Sequence, residues 1–152
     1  MPDRFLISLD GAFGDSFSWR LKDGELRYRG EGLYAGFLSG RIPVREDDLK
    51  RFRAACDLLE VRRWRDNYDA FECGWSVMDG YRWSFRAEFD GAAAVRSGGC
   101  NAYPSYADPG EPSLTRDRFG LLGRAFLESF NIAGVYHTRR AEPMPQSVWP
   151  IP

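Results

Sequence analysis

Two Asp-Gly steps, Asp23-Gly24 and Asp90-Gly91, each set in a stretch where every second residue is apolar, constrain this chain more than any other feature. Asp-Gly supplies the two positive-φ residues that a tight hairpin turn needs, and apolar alternation with period two marks a strand with one buried face. Around the first step, Phe17, Trp19 and Leu21 lead in and Leu26 and Tyr28 lead away. A type I′ turn there sets Leu21 opposite Leu26 and Trp19 opposite Tyr28, so turn chemistry and hydrophobic register agree. Around the second, Tyr81, Trp83, Phe85, Ala87 and Phe89 share a face, and the returning strand runs from Ala92 to Gly98. A two-residue turn places Arg96 beside those aromatics, whereas one extra loop residue brings Ala93 and Val95 there instead. The second register is expected, because a buried unpaired Arg costs several kcal/mol and a glycine-assisted bulge costs little.

The same periodicities divide the rest of the chain. Phe5, Ile7 and Leu9 alternate as a short strand over Asp3 to Leu9, and Phe37 to Val44 reads as another, with Pro43 near its end where a ladder donor can be spared. The period then changes to three and four at Leu49, Phe52, Cys56 and Leu59, with Glu46, Asp47 and Asp48 in the first turn, which predicts a helix from Glu46 to Glu60. Prolines and a glycine mark Asn101 to Ser113 as a loop. Thr115 is placed to cap a last helix, with Leu114 stapled on Phe119 and a stripe of Phe119, Leu122, Phe126 and Phe130 running to about Ser129. Prolines dominate the end of the chain, so Glu142 to Pro152 is expected to be extended, with Trp149 the residue to dock it. The expected fold is α+β, an antiparallel sheet of about five or six strands built from hairpins and packed on two helices. Residues 1–140 form a single domain and 141–152 a proline-rich tail.

Composition narrows the function classes. Hydrophobic residues make up 43% of the chain, enough for a core without staples. No apolar run approaches the ~20 residues that a bilayer requires, and Asp10 interrupts the first one before an export signal could form, so a cytoplasmic protein with no membrane contact is expected. Cys56, Cys73 and Cys100 are an odd number at wide spacing, which suits reduced, mostly buried thiols better than a disulfide framework or a zinc site. The net charge of −1 gives no whole-molecule field for nucleic acid, and none is expected as a partner. Nearly all the basic residues are arginine, Lys22 and Lys50 being the exceptions, which favours forked, directional pairing.

The motif order Asp79-Gly80-Tyr81-Arg82-Trp83-Ser84, Asp90-Gly91, then Ser97-Gly98-Gly99-Cys100-Asn101-Ala102-Tyr103-Pro104 before the helix of Phe119 and Phe126 resembles a family of small bacterial domains of unassigned function. Trp64 and the Asn67-Tyr68 pair fit the same pattern, and the resemblance extends over roughly residues 46 to 130. It implies a fold and carries no catalytic residues. The segment Ala107 to Pro112 and the proline-rich tail depart from the pattern.

Candidate sites are few. His137 is the only histidine, placed beyond the last helix with no serine or cysteine motif spaced to recruit it. The carboxylate pairs Asp47 and Asp48, Asp66 and Asp69, and Glu72 and Asp79 read as helix-start and turn acids. Arg62-Arg63-Trp64-Arg65 is a basic cluster whose Trp belongs to the core. No cofactor or metal is expected. Two features remain. Arg20, Arg27, Arg29, Arg82 and Arg86 fall opposite the apolar faces of the two hairpins, and Arg27, Arg29, Arg82 and Arg86 are taken as a candidate interaction face. Arg96, Cys100, Asn101 and Tyr103 are the candidate ligand loop. The leading expectation is a non-enzymatic domain that binds another protein, of inhibitor or immunity type. The alternative is a small-molecule-binding or hydrolytic domain using the Ser97–Tyr103 loop. A homodimer by strand pairing is open through an edge at Phe5 to Leu9 or Phe37 to Val44.

Overall fold

The computed structural model describes residues 3–11, 13–75 and 80–145; Asp79 and Trp149 lie outside them. In chain order the elements are β1 (Arg4–Asp10), β2 (Ser16–Lys22), β3 (Glu25–Glu31), β4 (Arg41–Pro43), α1 (Glu46–Leu58), β5 (Tyr68–Asp69), β6 (Arg82–Glu88), β7 (Val95–Cys100), β8 (Tyr103–Pro104), β9 (Pro112–Ser113), α2 (Asp117–Ser129) and α3 (Ile132–Arg140). The fold is α+β. A seven-stranded sheet in the order β4-β3-β2-β1-β6-β7-β5 carries the helices, and β8 and β9 form a separate two-stranded ribbon. Every pair in the large sheet is antiparallel except β5 with β7.

Both hairpins adopt the expected registers. Leu21 faces Leu26 and Trp19 faces Tyr28, with Asp23 at φ 53° and Gly24 at φ 74° as a type I′ turn requires. In the second hairpin Ala87 faces Val95 and Arg86 faces Arg96, which turns Val95 into the core and Arg96 out to solvent as expected, whereas Ala93 is exposed in the connection and the returning strand begins only at Val95. The two hairpins are joined by β1, which pairs with β2 on one side and β6 on the other.

The core lies between one sheet face and the helices. Phe5, Ile7, Leu9, Phe17, Trp19, Leu21, Trp83 and Phe85 point inward from the strands, and Phe52, Phe119, Leu122 and Phe126 meet them from α1 and α2. Phe126 sits at the centre, with ring centroids 5.8 Å from Phe5, 5.0 Å from Trp19 and 6.0 Å from Phe52. Such offset and edge-on contacts between large rings account for much of the cohesion. Trp64 is buried against Trp83, as its place in the core requires.

Several expectations are corrected. β1 lies in the middle of the sheet, so Phe5 to Leu9 offers no edge for a second copy. Only Arg41–Pro43 of the Phe37–Val44 stretch is strand, because Phe37 and Leu38 are drawn into the core; Phe37 stacks on Tyr136 at 4.9 Å. A third helix is present. Asn131 interrupts the chain after α2 at φ 47°, and its side chain accepts the Gly134 N–H to start α3, which buries Ile132 and Tyr136 and contains His137. Thr115 does not cap α2: its hydroxyl donates to the Asp117 carboxylate, while Leu114 is exposed and staples nothing. Of the three thiols, Cys56 alone is buried; Cys100 is exposed and Cys73 intermediate.

Candidate functional site

The motif residues of the second half serve mainly to fasten the chain to itself. Asn101, at φ 55°, turns its side chain back so that Oδ1 accepts the Tyr81 N–H at 2.9 Å. A Cβ on Gly80 would stand 2.0 Å from that oxygen, so the approach requires glycine. The indole N–H of Trp83 donates to the Ala102 carbonyl at 2.8 Å, Ser97 Oγ donates to the Arg65 carbonyl at 2.6 Å, and the Tyr68 hydroxyl donates to the Pro109 carbonyl. Tyr103 is buried and stacks on Trp83 at 5.9 Å. It faces the core, away from solvent.

The ligand-loop candidates therefore do not converge. Tyr103 is internal, Arg96 lies on the outer face beside Arg86, and Cys100 sits four residues further along β7, opposite Arg82. Around Cys100 is a cleft of about 420 Å³ lined by Asn67, Asp69, Arg82 and Gly98 among others. Asn101 Nδ2 donates to the sulfur at 3.9 Å. Its solvent-facing position contrasts with Cys56, whose thiol burial pushes up to about 12. One acid of each expected pair makes a structural contact, and Asp79 lies outside the described residues. Asp48 Oδ2 accepts the Arg45 N–H that begins α1, Asp69 caps the turn at Phe71, and Glu72 pairs with Arg65. Among the described residues no group of His, Cys, Asp and Glu is arranged to hold a metal ion. No described helix is long and apolar enough to cross a membrane.

The outer sheet face, away from the helices, is where charge is organised. Ladder registers place residues in rows that cross the strands. One row reads Arg41, Arg27, Arg20, Leu6, Arg86, Arg96 across β4, β3, β2, β1, β6 and β7. The next reads Arg29, Ser18, Ser8, Ser84, Gly98, with Ser8 and Ser84 hydroxyls bonded at 2.9 Å. A third places Asp10 opposite Arg82 and Arg82 opposite Cys100. Of the expected face residues, Arg27 and Arg86 thus share a row with Arg20 and Arg96, whereas Arg29 and Arg82 belong to the two rows beyond it.

Carboxylates border the arginine row without neutralising its centre. Glu25 lies 3.5 Å from Arg41, Glu88 lies 3.1 Å from Arg4, and Glu31 lies 3.5 Å from Arg29. Arg20, Arg27, Arg86 and Arg96 are exposed and make no ion pair among the described residues. A concavity of about 300 Å³ lies at this end of the face, lined by Arg4, Leu6, Arg20, Lys22, Arg86 and Arg96, with Glu88 its one acid. Sequence reasoning placed Arg20 on this face and Arg96 in the ligand loop; the signal joining them is the pairing of β1 with β6, which brings residues nearly eighty apart into one register. No protein-family model matches the chain, and no curated protein matches it.

Proposed function

We propose that this protein is a non-enzymatic interaction domain that binds a partner protein through the outer face of its sheet. One observation carries the reading: of the five exposed arginines in the row through Leu6, Arg20, Arg27, Arg86 and Arg96 make no ion pair among the described residues and form two directly opposed pairs. Like charges facing each other across a ladder lower stability, so the arrangement is better explained by an external partner than by folding. Arginine is also among the residues enriched in binding hot spots, and the half-buried Leu6 gives these arginines an apolar neighbour. The test is affinity capture from an extract of the native host with the wild-type protein and with Arg20→Glu/Arg86→Glu as baits. A protein retained by the first and lost with the second supports the proposal. Equal retention by both, or no retained protein, contradicts it.

A second reading rests on the cleft at Cys100, where an exposed thiol, Arg82, Asn67 and Asp69 border about 420 Å³ of space open to a small molecule. Histidine does not serve the sulfur as a base, since His137 lies in α3 with its ring nitrogen 3.4 Å from the Glu142 carbonyl. Alkylation of Cys100 no faster than that of a free cysteine would exclude a catalytic thiol.

A further inference from the structure

We propose, building on the interaction reading above, that the partner element received by this face is an acidic amphipathic helix lying across the strands, with one carboxylate-bearing residue per turn set against the arginine row and an apolar residue over Leu6.

The spacing of the row selects the helix. Arg20, Leu6, Arg86 and Arg96 stand on four successive strands, β2, β1, β6 and β7, so their backbone positions step by about 4.8 Å and span about 14 Å. An α-helix advances about 5.4 Å per turn, which keeps one side chain per turn within reach of each strand along that length. An extended segment presents same-side residues about 6.7 Å apart and falls out of step by nearly a whole strand over the same distance. Two to three helical turns cover the concavity over Leu6.

The surroundings of the row favour protein over phosphate. The floor of the concavity is sheet backbone whose N–H groups are committed to the ladders, so a small anion would find only exposed side chains and keep most of its water. A nucleic acid strand crossing the row would pass Glu25, Glu88, Glu31 and Asp10, all on the same face, and would find no aromatic ring there among the described residues for its bases. An alternating surface of arginines bordered by acids is matched by a helix with an acidic stripe and basic or neutral flanks. Forked guanidinium groups suit carboxylates in that setting.

The probe is a fluorescein-labelled, side-chain-stapled helical peptide of about 14 residues, long enough at ~1.5 Å per residue to cover the row, with one Glu per turn on one face and a Leu between them. Binding is followed by anisotropy. The wild-type protein should bind it with an affinity that falls as salt rises, and Arg20→Glu/Arg86→Glu should weaken it roughly tenfold or more. The same peptide with Lys for Glu should bind that variant in preference to the wild type. Circular dichroism verifies that the variant is folded. An unstapled, proline-interrupted peptide of the same charge should bind more weakly; equal binding overturns the helical assignment. No binding of the stapled peptide, unchanged binding by the variant, or displacement by tripolyphosphate or a single-stranded oligonucleotide at lower concentration than by unlabelled peptide overturns the inference. A partner captured by the wild-type protein and lost with the charge-reversed variant, together with no peptide binding, would leave the interaction reading standing and remove only the acidic helix.

Discussion

Arg86 and Arg96 stand directly opposite each other across β6 and β7, both exposed on the side of the sheet away from the helices. Across β2 and β3, Arg20 and Arg27 repeat the relationship. With Arg27 also facing Arg41, three facing pairs of like charge on one row make it a poor stabilising device. Replacing Arg86 or Arg96 with Ala should therefore leave urea stability within about 0.5 kcal/mol of wild type or raise it, as for surface changes that break no internal contact. A loss above about 2 kcal/mol would show that the row supports the fold.

The Asn101 clasp behaves in the opposite way. Its Oδ1 is the acceptor for the Tyr81 N–H, and its backbone is left-handed. Asn101→Gly keeps the backbone conformation and removes only the side chain, at a cost of about 1–3 kcal/mol for the partner it strands. Asn101→Ala adds roughly 1 kcal/mol of backbone strain. Gly80→Ala should destabilise as well, since the new Cβ meets the Asn101 amide. Denaturant midpoints for the three variants check the order.

Core packing centred on Phe126 sets the largest expected loss. Phe126→Ala removes a ring that touches Phe5, Trp19, Phe52 and Phe130. Truncating a fully buried Phe costs about 3–5 kcal/mol, so thermal unfolding should show a large fall in Tm or no folded state.

Thiol accessibility separates the three cysteines. At neutral pH a maleimide should modify Cys100 first and Cys73 next, with Cys56 protected until the protein unfolds, because Cys56 is buried and its pKa is raised. Peptide mass spectrometry against time gives the order.

Acid sensitivity should be traceable in part to Asp48. Burial raises its pKa, but hydrogen bonds from Arg45 and the charges of Arg45 and Arg51 together outweigh that and hold it below the ordinary 3.8. A carboxyl lowered on folding stabilises the native state fully above its unfolded pKa, and that contribution is lost as pH falls through the folded value. Stability should thus fall between neutral pH and about pH 3 by more in the wild type than in Asp48→Asn, measured by urea unfolding at both pH values. An identical fall would remove Asp48 from the account.

Local rules carried most of the fold. Asp23-Gly24 fixed one hairpin to the residue, and the cost of burying Arg96 chose the correct register for the other, because turn chemistry and side-chain burial act over a few residues. The break at Asn131 was legible in principle from an Asn cap followed by Ile132 and Tyr136 one turn apart, but the apolar stripe of α2 masked it. Thr115 misled because Asp117, two residues on, took its hydroxyl. The site was less legible than the fold. Each hairpin separately showed arginines on its outer side, yet the row through Leu6 exists only because β1 pairs with both hairpins, a long-range choice that no local pattern encodes.

Arginine footprinting of the captured complex tests the central claim most directly. Phenylglyoxal should modify Arg20, Arg27, Arg86 and Arg96 readily in the isolated protein, and in the complex Arg20, Arg86 and Arg96 should be protected while the exposed Arg124 of α2 labels as before. Protection of Arg124 or of the Arg62 and Arg63 cluster, with the row labelled as fast as in the free protein, would place the partner elsewhere and contradict the account.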